Sequence, residues 1–186
     1  MSTKHHESSS PLRHLVLIGT MGTGKTTAGR LIASRLGWPF WDNDEWLEEQ
    51  SGHSALEIAR RWGPAELHRR EAEALTASLD REGPGVVAAA ASAVLDDRVR
   101  SRLPSVSFVA WLHTSPEALA ERLTDPGDRP VLGASPARLS GDLQSQRTDL
   151  YRSVADFDVD TTDRRPEDVA GLVLSAFSTF QARGSR

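Results

Sequence analysis

Gly19-Thr20-Met21-Gly22-Thr23-Gly24-Lys25-Thr26 fits the pattern G-x-x-x-x-G-K-[ST] and directly follows the apolar run Leu15-Val16-Leu17-Ile18. Downstream, Ala28, Leu31, Ile32 and Leu36 recur at helical spacing and stop at Gly37, a suitable residue just past a helix end. Strand, glycine loop and helix make the first half of a βαβ unit. In such a loop the glycines let backbone N–H groups turn inward around phosphates, a lysine reaches the outer phosphates, and a Ser/Thr hydroxyl ligates Mg²⁺. Lys25 is the only lysine after Lys4 in a chain that otherwise carries its positive charge on arginine, so a general preference for lysine does not explain it. The competing reading, a glycine-rich turn without a ligand, does not require the Gly-Lys-Thr ending. The expected ligands are a nucleoside triphosphate and Mg²⁺.

Beyond this unit, Pro39-Phe40-Trp41-Asp42 reads as a short strand and Asp44 to about Gln50 as a helix ended by Ser51-Gly52. Ser54 and Glu57 form a capping box for another short helix, broken at Trp62-Gly63-Pro64. Ala65 to about Arg81 reads as a longer helix. Val86 to Ala90 is a strand by its apolar run, though alanine is a poor strand former, and Val106 to Leu112 is a clearer buried strand. Ser115-Pro116 starts a helix reaching about Leu123. Thr124 to Pro136 is a Pro/Gly-rich loop containing Arg129, suited to close over a substrate. A helix over Ala137 to Arg152, a strand over Asp156 to Asp160 and a helix begun by Pro166 complete the chain. This alternation is that of a parallel sheet covered on both faces, with ligands at the carboxyl ends of the strands.

At 186 residues and 38% apolar content, the chain has the size of one domain with a sizeable core. The expected division is a tail over 1–13, a single domain over 14–182 with an acceptor-binding region at 42–75 and a lid at 124–136, and a loose end over 183–186. A formal charge of −4 supplies no general attraction to nucleic acid or to an anionic membrane, which points to small-molecule partners. The absence of cysteine excludes disulfides, thiolate metal sites and cysteine nucleophiles. No apolar stretch approaches a membrane span, and the polar, Ser-rich start lacks the apolar region of a signal peptide, so a cytoplasmic protein is expected.

Asp42-Asn43-Asp44 falls at the end of the second strand candidate. Asp42 suits Mg²⁺ held through water, and Asp44 suits holding or deprotonating an attacking hydroxyl. Both could instead be acids favoured by a helix N-terminus; the phosphate loop upstream favours the chemical reading. No Asn-Lys-x-Asp guanine signature occurs, which disfavours a GTPase switch.

The order of motifs resembles the shikimate kinase family over about residues 14–176. It runs through Gly19 to Arg30, Phe40-x-Asp42-x-Asp44, Gly52-x-Ser54, Ile58, Gly63-x-x-Glu66, Glu71 and Ala93-Val94-Leu95. It continues through Trp111-Leu112, Arg122, Arg129-Pro130, Arg147-x-x-Leu150-Tyr151 and Val159-Asp160-Thr161. The resemblance implies a P-loop NTPase-type three-layer α/β sandwich: a five-stranded parallel sheet, helices on both faces and a lid loop. It implies ATP and Mg²⁺, a ring hydroxyl as phosphate acceptor and a monomer. By the same resemblance Lys25 and Arg129 neutralise transferring charge, Thr26 and Asp42 serve Mg²⁺, and Asp44 positions or deprotonates the acceptor. The expected nucleotide-binding set is Gly22, Thr23, Gly24, Lys25, Thr26, Thr27, Arg122 and Arg164, with Arg122 along the adenine. Arg147 pairs with the acceptor's carboxylate. Against these stand plainer readings: Arg122 as a surface helix residue, and Arg147 with Arg152 as a solvated helix face.

Two departures fall in the acceptor pocket. The family places a carboxylate-gripping arginine where this chain has His68, and imidazole cannot reproduce a bidentate guanidinium fork; Arg61, seven residues back, is a candidate substitute. Ala90-Ala91-Ser92 stands where three glycines are expected, so each Cβ restricts the backbone and occupies space. These five positions, Asp44 and His68 included, form with Arg147 the expected acceptor set. The departures fit a kinase retuned to another cyclic polyol, or tolerated divergence in a shikimate kinase. Gluconate-kinase-like or nucleotide-kinase-like transfer and a non-catalytic nucleotide-binding module are the alternatives.

Overall fold

The computed structural model describes residues 14–123 and 147–184. The expected tail over 1–13, the lid over 124–136 with Arg129, and most of the helix expected from Ala137 lie outside the described residues.

Five strands form one parallel sheet: β1 (His14–Ile18), β2 (Phe40–Asp42), β3 (Gly85–Ala88), β4 (Ser107–His113) and β5 (Phe157–Asp160), in the order β2-β3-β1-β4-β5. Between them run α1 (Lys25–Leu36), α2 (Asn43–Ser51), α3 (Ala55–Trp62), α4 (Pro64–Leu79), a 3₁₀ turn (Ala93–Leu95), α5 (Asp97–Val106) and α6 (Pro116–Arg122). Helical residues 147–154 (α7) precede β5, and α8 (Pro166–Gly184) closes the chain. The last helix thus extends two residues into the segment expected as a loose end.

Strand alternation sorts the core into two layers. Val16, Ile18, Val87, Val109 and Trp111 face one way, against Leu75 and Leu79 of α4, Val99 and Leu103 of α5, and Tyr151 and Val154 of α7. Leu15, Leu17, Val86, Phe108, Ala110 and Leu112 face the other, against Ala28 and Ile32 of α1 and Val169, Val173 and Phe177 of α8. Both faces are therefore apolar, which is why these strands read as continuous hydrophobic runs. Each fully buried Leu or Val contributes roughly 1.5–3 kcal/mol relative to exposure. The chain crosses outward from β1 to the edge strand β2, returns through β3, then continues beyond β1 to β4 and β5. This reversal opens a crevice at the carboxyl end of β1, where the Gly19–Thr26 loop lies.

Local signals hold at several points. Gly37 is left-handed (φ 66°) at the end of α1 and donates to Ala33 O, and Ser54 with Glu57 makes both bonds of a capping box. One helix escaped the sequence pattern. α5 begins where Asp96 accepts from the N–H groups of Arg98 and Val99, and Pro104 near its end, lacking a donor, masked it. β3 ends at Ala88, two residues short of the expected Ala90, so only one of the three alanines enters the strand, which lies between β1 and β2 with both ladders paired. No helix among the described residues is long and apolar enough to cross a membrane.

Candidate active site

A cavity of about 580 Å³ opens at the carboxyl end of β1, lined from Met21 to Ala28 by the loop and the start of α1. Two glycines there are indispensable for different reasons. At Gly19 (φ 141°) a Cβ would stand 2.1 Å from Leu112 O, so the loop could not leave β1 in this direction. Gly24 (φ 88°) caps α1 in a left-handed conformation with open space beside it, which leaves the first N–H groups of α1 toward the cavity without a side-chain cap. Lys25 Nζ donates to Gly19 O at 2.9 Å and Thr20 O at 3.0 Å, holding the loop closed on itself. The Thr23 hydroxyl is buried and donates to Thr20 O at 2.9 Å, so this residue offers a ligand its backbone and not its side chain.

Asp42 ends β2 beside this loop. Its Oδ2 accepts from Thr26 Oγ1 at 2.6 Å and its Oδ1 from the N–H of Asp44 at 2.9 Å. Asp42 caps α2, as its plainer reading has it, and also meets the hydroxyl at the end of the phosphate loop. Thr26, Asp42 and Asp44 all line the cavity. One hydroxyl and one carboxylate, joined across 16 residues, make an all-oxygen donor set that leaves most coordination positions to water and phosphate, as Mg²⁺ requires. No cluster of three or more His, Asp or Glu suited to a metal exists among the described residues.

The opposite wall is formed by Arg122, Leu123, Thr161, Arg164, Pro166 and Val169. Arg122 is no solvated helix residue: its guanidinium donates to Thr161 O at 2.6 Å, Thr162 O at 3.1 Å and Thr161 Oγ1 at 3.1 Å, and reaches Gly22 O at 3.4 Å. It ties the phosphate loop to the segment after β5 while one face lines the cavity. Arg164 Nε donates to Asp160 O at 2.9 Å. Pro166 and Val169 were not foreseen as site residues; their only sequence signal is their place at the start of the helix after β5.

The residues expected to meet an acceptor lie on α2, α4, α7 and the loop after β3. Ser92 donates to Glu71 Oε2 in a buried hydrogen bond, and Tyr151 OH donates to Ala91 O at 2.7 Å. Ser92 has φ −93°, a conformation open to any residue, so its backbone does not call for the glycine expected there. Its side chain is turned to Glu71. Burial raises the Glu71 carboxyl to about 7, helped by the nearby Asp44 charge and opposed by Ser92 and Arg147. Burial also raises the Tyr151 phenol to about 12, against the pull of Arg147. His68 is held below its ordinary value by burial and by the Arg147 charge. Arg147 is 8% exposed whereas Arg152 is exposed and paired with Asp149, so the solvated-face reading holds for Arg152 and fails for Arg147. Arg61, the candidate substitute cation, lies against Trp62 and within 3.0 Å of His53 Nε2. Arg69 and Arg70 are engaged with Glu66. Glu71 and Tyr151, which carry this network, were noted in the sequence only as motif members.

A glycine loop ending in Lys-Thr, an acid pair at the next strand and a cavity between them define a P-loop phosphotransferase. A family model described as shikimate kinase matches residues 21–178. Shikimate kinase from Xanthomonas axonopodis pv. citri is 37% identical over 167 residues, covering 89% of this chain and 92% of the relative. The Pseudomonas syringae pv. tomato shikimate kinase is 34% identical over 92% of this chain and all of the relative. The structure of Acinetobacter baumannii shikimate kinase in complex with shikimate superposes with a TM-score of 0.84 at 30% identity, covering 91% of this chain and 94% of that one. The chain belongs to the shikimate kinase family. A gluconokinase from Sinorhizobium meliloti (TM-score 0.67, 20% identity) shares the fold alone.

Proposed function

We propose that this chain transfers the γ-phosphoryl group of ATP to a ring hydroxyl of shikimate or a related cyclic polyol, giving ADP and a phosphate monoester. The observation that carries the reading is the 2.6 Å bond between Thr26 Oγ1 and Asp42 Oδ2, which joins the phosphate loop to the acid pair in one cavity. The loop's backbone N–H groups and Lys25 bind the phosphates, and Lys25 exchanges its carbonyl partners for phosphate oxygens when ATP enters. Thr26 and Asp42 hold Mg²⁺, which when bound neutralises part of the phosphate charge. Arg122 and Arg164 wall the nucleoside end.

Asp44 follows Asp42 at the head of α2 and accepts the acceptor's hydroxyl proton as that oxygen bonds to the γ-phosphorus and ADP leaves. Such transfer is catalysed mainly by alignment and electrostatic stabilisation, which this arrangement supplies. Arg129, assigned by resemblance to the transferring phosphate, belongs to the proposed lid. Arg147 holds the acceptor from α7. Steady-state ADP release from Mg·ATP, with millimolar shikimate present and absent, tests the assignment. Strong stimulation is expected; bound ATP with no stimulation by shikimate or a panel of cyclitols would favour a nucleotide-binding module instead.

A further inference from the structure

Between the two acids at the head of α2 stands Asn43, a residue the phosphate chemistry does not use. It is fully buried, and its Nδ2 donates to Ser78 Oγ of α4 at 2.9 Å; Ser78, also buried, donates in turn to Ala74 O at 3.1 Å. Asn43 Oδ1 is buried and has no hydrogen-bond partner among the described residues. Asp42 and Asp44 line the cavity, whereas neither Asn43 nor Ser78 does.

This pair is an expensive way to pack two helices. A buried amide left half-satisfied destabilises the fold, and two apolar groups of similar shape would fill the same space at no such penalty. What an apolar contact lacks is direction. The other buried side chain of α2 is Leu47, four residues on and on the same face as Asn43, and a leucine contact by itself does not fix the rotation of a nine-residue helix about its axis. The Asn43–Ser78 bond does fix it, at the first turn. Asp44 lies about 100° around the helix from Asn43, so the direction of its carboxylate follows that rotation. On the other side Asp44 is held by its own N–H, which donates to Asp42 Oδ1 at 2.9 Å. The first turn of α2 is thus tied both to the phosphate loop, through Asp42 and Thr26, and to α4, through Asn43. Misplacing a reacting group by about 1 Å can cost about a hundredfold in rate.

We infer that Asn43, held by Ser78, is a positioning residue that aims the Asp44 carboxylate at the acceptor hydroxyl. The inference rests on the reading of Asp44 as the group that takes the hydroxyl proton, and adds the side chains that orient it.

The test replaces both polar partners at once, in Asn43→Leu/Ser78→Ala, and measures kcat with Mg·ATP and shikimate, Mg·ATP affinity and the thermal midpoint on the full chain. The expected result is a kcat lower by about tenfold or more, a Mg·ATP dissociation constant within about threefold of wild type, and a thermal midpoint held or raised. Because the pair acts through Asp44, the same two changes made in Asp44→Asn should lower kcat by less than about threefold further. A kcat within about threefold of wild type overturns the inference, whatever the midpoint does, and so does a parallel loss of Mg·ATP affinity, which marks general loosening of the site. A tenfold further loss in the Asp44→Asn background overturns it as well, with the role of Asp44 left standing. Full activity in Asp44→Asn itself overturns the proton-acceptor reading and this inference with it. If the double variant does not fold, Ser78→Ala alone carries the same comparisons: it leaves Asn43 in place without its partner and should lower kcat by about threefold or more, and a kcat equal to wild type overturns the inference.

Discussion

At the proposed phosphate end of the site the candidate groups come from one contiguous stretch, Gly19–Thr26, joined by Asp42; at the proposed acceptor end they come from α4, the loop after β3 and α7. The bonds that build the acceptor end span 21 residues between Glu71 and Ser92 and 60 between Ala91 and Tyr151. The phosphate loop fits G-x-x-x-x-G-K-[ST] in full, whereas His68 and Ala90-Ala91-Ser92 depart from what the resemblance leads one to expect. The difference follows from what each must hold. Phosphates are alike in every kinase and are met by backbone N–H groups, which only a fixed local conformation can present. On the other side the contacts are between side chains distant in sequence, as where Ser92 meets Glu71.

Substitutions should separate the two ends. Lys25→Ala removes the cation at the transferring phosphate and should lower kcat by about a thousandfold or more. Full activity in that variant would break the phosphate-end account. Glu71 gives the next effect, in stability. Its folded value lies above the ordinary 4.5, so its contribution is fully present below pH 4.5 and is lost as pH rises through about 7. The span corresponds to on the order of 3 kcal/mol of unfolding free energy. Denaturant titrations from pH 4.5 to 8 should show this decline in the wild type and its loss in Glu71→Gln.

Asp44→Asn should lower kcat by about a hundredfold while ATP affinity holds, which a nucleotide-binding assay run beside the kinetics would check. His68→Arg should sharpen the contrast by placing a guanidinium at position 68: shikimate affinity should rise by about tenfold. An unchanged value would mean that carboxylate capture lies elsewhere. Smallest, Tyr151→Phe removes the bond to Ala91 O and should cost about 1 kcal/mol, seen as a lower thermal midpoint with ATP binding unaffected.

Much of the fold was legible because its signals are local. The Gly19–Thr26 loop, the stop at Gly37 and the Ser54/Glu57 capping box each lie within a few residues and reappear in the structure. α5 was missed because Pro104 and a run of charges hide a helix whose apolar face is only Val99 and Leu103. In the site, Thr26 and Asp42 were legible by motif, but their hydrogen bond was not. Arg122 shows the limit most clearly. The resemblance set it along the adenine, and the structure places it on the cavity wall; its grip on Thr161, Thr162 and Gly22 depends on β5 lying beside β4, a tertiary fact with no local signature. The Ser92–Glu71 bond is likewise invisible until α4 packs against the loop after β3.

Phosphorus NMR of the full chain with Mg·ATP and shikimate follows the γ-phosphoryl group itself. The account predicts a phosphate monoester signal that grows in step with ADP and is absent in Lys25→Ala. Conversion of ATP to inorganic phosphate alone, or no conversion of bound ATP, would contradict it.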